Sequence, residues 1–324
     1  MSVDDVRRIF DDPGFVMGLF VGALAVAVGA LFIAALPRSS EDSVVPLAGL
    51  LLVGAAALAL RDQFGLAGDL AVGLALLALA GISAGLAGRT RLNSVAVHTV
   101  AALPGAWLIS GAADLDGDVS RVLFGAAIAV GSALTAAADH SYRRSALGPV
   151  LVLASLAGVY ATVPDTERAL VALGAALPLA VLGWPIALAS LGRAGASATV
   201  GLLAWVAATD GSARPGSVVG AIACLGILLV EPTAGALVRR EPPDPFGDGT
   251  AVDRSPAKWR AAAPVLLAHV ALVAVASRVA GLRNDALESA LIAGLALVSA
   301  TFLAARWPTL LPLTGDGGSS TRIP

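Results

Sequence analysis

Cysteine and lysine are almost missing from this 324-residue chain. Cys224 is the single cysteine and Lys258 the single lysine. One cysteine excludes an intrachain disulfide, a Cys-x-x-Cys redox pair and a thiolate zinc cage. In its apolar run, Cys224 reads as a small packing residue. The one lysine stands in no G-x-x-x-x-G-K-[ST] context, which excludes a P-loop, and no H-E-x-x-H occurs. Charge is the third shortage. Charged residues make up 14% of the chain, against about 25% in ordinary soluble domains. A water-soluble globule could not cover its surface with so few. The formal net charge of −2 gives no basic footprint for nucleic acid, so none is expected as a partner.

Apolar residues fill the space that charge leaves. They reach 57%, and the mean hydropathy is +0.84. The runs are continuously apolar rather than alternating, which excludes the strands of a membrane barrel. Lipid requires each span to satisfy its own backbone, which an α-helix does. The chain therefore reads as an all-α, polytopic integral membrane bundle, a single transmembrane domain over 1–324. A span needs roughly 20 residues, and that ruler gives about eleven transmembrane helices. They fall near 15–36, 44–60, 66–87, 93–111, 119–138, 145–163, 168–190, 195–209, 215–238, 261–278 and 286–305. The first follows the acidic stretch Asp11-Asp12-Pro13-Gly14, and its length suits a span rather than a cleavable signal core. The bilayer is the expected partner. A homo-oligomer or a membrane-embedded partner subunit is compatible with the same helices.

Loops give the orientation. The longest, 239–260, is charged and Pro-rich, and its Arg239, Arg240, Arg254, Lys258 and Arg260 tip the basic balance to one side. By the excess of Arg and Lys in cytoplasmic loops, this loop and the C-terminus lie inside and the N-terminus outside, in the plasma membrane of a cell whose abundant Ala and 20 Arg to one Lys suggest a GC-rich bacterial genome. The tail 310–324, rich in Gly and Ser, reads as disordered.

The chain also resembles itself. Segments ending at Arg89, Arg193 and Arg306 each begin near a proline (Pro46, Pro149, Pro264). Each turns through a charged connection, resumes at an acid (Asp69, Glu167, Glu288) and stops at arginine. A four-span unit thus recurs at about 104 residues, as 44–144 and 145–240. An even number of spans keeps both copies in one orientation, a parallel repeat. The three recurring acids also suit the helix dipole at a first turn, with no function implied.

Small residues let membrane helices approach, and Gly18-Leu-Phe-Val-Gly22 has the small-xxx-small spacing of a contact face. Ionisable groups inside a span are costly and mark candidate sites. Those predicted here are Glu231, His98 and His269, with Asp139 and His140 at the inner end of the fifth span. Glu231 precedes Pro232, which breaks a helical hydrogen bond and can kink the span beside a carboxylate. His98 and His269 also have a plainer reading as neutral, hydrogen-bonded imidazoles. These groups have no recognisable zinc spacing, and no metal or cofactor is expected. Arg143, Arg144, Arg239 and Arg240 could hold anionic headgroups at the inner face.

Two functions fit. The first is a transporter or permease, a proton- or ion-linked carrier of a small or amphipathic solute with Glu231 as the coupling acid. The second is a membrane-embedded enzyme or accessory subunit that handles a lipid-linked substrate at the arginine clusters.

Overall fold

The computed structural model describes residues 3–35, 47–65, 68–87, 91–113, 118–143, 148–162, 167–183 and 189–211. Their regular elements are nine α-helices: α1 (Val3–Asp11), α2 (Pro13–Ala35), α3 (Ala48–Phe64), α4 (Gly68–Ala87), α5 (Arg91–Ala112), α6 (Asp118–Arg143), α7 (Gly148–Thr162), α8 (Glu167–Gly183) and α9 (Gly192–Gly211). Helices α2 to α9 fall on the first eight apolar runs. The last three runs, the loop 239–260 and the tail 310–324 lie outside the described residues, as does the end of the second repeat unit. Among the described residues, Pro13–Phe32 and Val95–Ala112 are long and apolar enough to cross a membrane. Gly68–Ser83, Arg121–Ala133 and Gly148–Tyr160 are shorter apolar stretches.

Local chemistry sets several boundaries. Helix α2 opens with proline at its first position, where a missing N–H costs nothing. Asp12 caps it: the Phe15 N–H donates to Asp12 Oδ1 at 3.0 Å. Helix α3 ends on Gly65 at φ 64°, a left-handed conformation that suits glycine, with the Gly65 N–H donating to Arg61 O. Apolarity had marked no element over 3–11. Helix α1 is nevertheless formed there, with an exposed Arg7–Asp11 pair one turn apart and Phe10 packed edge-on against Phe15. The seventh run is apolar to residue 190, and α8 is described within it as far as Gly183. The chain then passes through buried, non-helical Ala189, Ser190 and Leu191. The carbonyls of Ser190 and Leu191 accept from Ala48 N–H and Gly49 N–H, so the first donors of α3 are satisfied by this segment.

Helix α9 is the hub. Every residue from Gly195 to Ala208 is buried, and α3, α4 and α6 pack along it. Helix α5 lies between α4 and α6, while α8 packs against α2, α3 and α7. Directions follow from neighbouring residues. Gly81 of α4 meets Arg193 at the start of α9, and Gly201 meets Leu74 and Leu77, so α4 and α9 are antiparallel. His98 of α5 lies beside Ser197, and Ala112 beside Trp205, so α5 and α9 are parallel. Backbones approach closely wherever glycines face each other, as Gly49 and Gly195 do. Large apolar side chains cover the outside, among them Phe20 and Leu31 of α2, Leu58 of α3, Leu79 of α4, Val100 of α5 and Leu123 of α6.

Candidate functional site

Most hydroxyls in these helices bond to their own backbone. Ser83 donates to Ala80 O, Thr99 to Val95 O, Ser110 to Trp107 O, Ser155 to Leu151 O and Thr209 to Trp205 O. This is the ordinary local solution for a hydroxyl inside a helix. The pentapeptide Gly81-Ile82-Ser83-Ala84-Gly85 has the letters of a nucleophile elbow, but it lies inside α4. It lacks the strand-to-helix turn that would expose such a serine.

Ser132 of α6 and Ser197 of α9 behave differently. Their oxygens are 2.5 Å apart across the helix interface. His98 of α5 completes a triangle, with Nε2 at 3.0 Å from Ser132 Oγ and 3.1 Å from Ser197 Oγ. Ser197 Oγ also donates to the Leu77 carbonyl of α4 at 2.6 Å. Four helices thus share one polar node. His98 is 1% exposed, and both serines are fully buried. Ala102, Ala106, Ile109, Leu74 and Leu77 belong to the apolar core around it. In such surroundings each unpaired polar group would cost roughly 1–3 kcal/mol, so mutual satisfaction is what permits the node to exist. Further along α6, Thr135 is also buried, and on α9 half-buried Arg193 lies one turn before Ser197.

The far end of the bundle is held by cations on rings. The Arg168 guanidinium lies 5.5 Å from the Phe64 ring centroid and 5.7 Å from that of Trp205. Trp205 Nε1–H donates to Ala112 O at 3.1 Å. Arg121 stacks over Trp107 at 4.4 Å. Each such contact is worth about 0.5–1 kcal/mol where partly exposed. Together they join the ends of α3, α5, α6, α8 and α9.

Of the residues singled out by sequence, His98 is the one whose side-chain surroundings are described. Asp139, His140 and Arg143 fall on the last turns of α6. Glu231, His269, Arg144, Arg239 and Arg240 lie outside the described residues. Sequence reasoning passed over Ser132 and Ser197. The composition of their runs, Gly131-Ser132-Ala133 and Gly195-Ala196-Ser197-Ala198, does not separate a hydroxyl that bonds across helices from one that bonds to its own backbone. Comparison with family models and with curated proteins finds no match for the chain.

Proposed function

We propose that the chain is a multi-pass carrier of the bacterial plasma membrane, spanning it about eleven times, with its N-terminus outside and its C-terminus inside. It moves a small or amphipathic solute coupled to a proton or another ion. The observation that carries this reading is the polar node at His98. An imidazole and two hydroxyls sit in the interior of a bundle whose outside carries many large apolar side chains, and intramembrane ionisable groups are retained where a pathway needs them. The composition supports the membrane setting. Small residues at the helix contacts support a closely packed membrane bundle. Glu231, beside Pro232, supplies the coupling carboxylate, and the units 44–144 and 145–240 form the two halves around the pathway.

The test is proton movement in proteoliposomes loaded with a pH-sensitive dye. A panel of amino acids, sugars, nucleosides and hydrophobic amines is added outside. One class is expected to drive a proton flux in the wild type, and Glu231→Gln is expected to abolish it. Unchanged flux in Glu231→Gln rejects this role for the carboxylate, and no flux with any class rejects a proton-linked carrier of these solutes.

A further inference from the structure

The node at His98 contains more contacts than hydroxyl protons, and counting them fixes the imidazole. Four contacts are present: Nε2 to Ser132 Oγ, Nε2 to Ser197 Oγ, oxygen to oxygen, and Ser197 Oγ to Leu77 O. The carbonyl has no proton, so Ser197 donates to it. The two serine oxygens, 2.5 Å apart, need a proton between them. The proton of Ser197 is already committed, so Ser132 donates to Ser197. Nε2 then faces two oxygens whose protons both point away, and it must bring its own. The hydrogen bonds run in one direction, from His98 through Ser132 and Ser197 to the backbone of α4. In the neutral ring the second nitrogen, Nδ1, keeps its lone pair.

We infer that Ser132 and Ser197 are positioning residues that hold His98 as its Nε2–H tautomer, so that Nδ1 is the acceptor offered to the carried solute. The solute must therefore present an N–H or O–H donor. The identity of the acceptor rests on the geometry alone, whereas its use rests on the carrier reading above. Ser197 and Leu77 lie on different helices from His98, so the tautomer is set only while α4, α5 and α9 are packed together.

The test is the ¹⁵N spectrum of histidine-labelled protein in lipid bilayers, with the His98 signals identified by their loss in His98→Gln. The wild type is expected to show a single tautomer, protonated at Nε2 and unprotonated at Nδ1. Ser132→Ala is expected to keep it, since the Ser197 proton stays on Leu77 O and Nε2 must still donate, whereas Ser197→Ala is expected to lose it, since the Ser132 proton is then free to turn to Nε2. The double variant Ser132→Ala/Ser197→Ala is expected to lose it, and Ser132→Thr/Ser197→Thr to restore it. A wild type protonated at Nδ1, or a double variant with the wild-type spectrum, overturns the positioning role. The solute half is read separately, in the dye-loaded proteoliposomes. A solute that drives proton flux is compared with its analogue methylated at every N–H and O–H. Loss of flux with the methylated analogue supports an Nδ1 acceptor, and equal flux overturns it. A pure Nε2–H tautomer with no solute-driven flux overturns the carrier reading and leaves the positioning standing.

Discussion

Replacing Gly18 and Gly22 together with leucine is expected to prevent the protein from being recovered as a monodisperse species in detergent. Helices α2 and α8 run parallel with their backbones almost touching. A Cβ at Gly18 would collide with Val171 O, one at Gly22 with Ala175 O, and one at Gly174 with Phe15 O. These neighbours are backbone atoms of a packed helix, not the ends of flexible side chains. The helices must therefore separate, which breaks the contact along its whole length. Overpacking ordinarily costs about 1–3 kcal/mol per site, and sites opposed by backbone belong at or above the top of that range. Either single substitution is expected to lower the thermal midpoint in detergent by several degrees. Gly54→Ala on α3 is the control. Nothing lies within 4 Å of a Cβ there, and alanine is the better helix former by up to about 1 kcal/mol, so the midpoint is expected to hold or rise. A double leucine variant that melts like the wild type contradicts the α2–α8 packing.

His98→Ala is the second large effect. It removes a fully enclosed ring and leaves a void, and large-to-alanine changes in a core cost about 2–5 kcal/mol. It also removes the group that ties α5 to α6 and α9. We expect a loss of about 3 kcal/mol from these two contributions. Ser197→Ala is expected to cost about 1 kcal/mol, because interhelical hydrogen bonds in membranes average only ~0.6 and reach ~1.7 kcal/mol. In a His98/Ser197 double-mutant cycle followed by thermal or denaturant unfolding in detergent, the two effects are expected to couple by about 1 kcal/mol. Strict additivity contradicts a shared node. An interaction much larger than this makes the node a principal source of stability rather than a modest one.

The helices of the described region were legible in the sequence because span length and continuous apolarity are strong signals. The apolar runs near 15–36 and 195–209 became α2 and α9 with small shifts at the ends. The small-xxx-small spacing at Gly18 and Gly22 also identified a real contact face, although the sequence could not say that α8 occupies it. Legibility failed where the decisive physics was local or long-range. Helix α1 is short and polar, so apolar periodicity gave no sign of it. The seventh run looked continuous to residue 190, yet Ala189 and Ser190 are non-helical, and Ser190 O and Leu191 O serve the first donors of α3. His98 was legible as a buried ionisable group. Ser132 and Ser197 were not, because their role depends on where α6 and α9 meet, 65 residues apart along the chain.

The carrier reading requires the node at His98 to be reached by water from each side of the membrane in turn. Ala102, one turn after His98 on α5, is fully buried and offers a small reporter position. On a Cys224→Ser background, Ala102→Cys is exposed to a membrane-impermeant thiol reagent in right-side-out and inside-out vesicles, under pH gradients of either sign. The account predicts modification from the outer face under one gradient and from the inner face under the other. Protection from both faces under both gradients would mean that the node is sealed, and would contradict it.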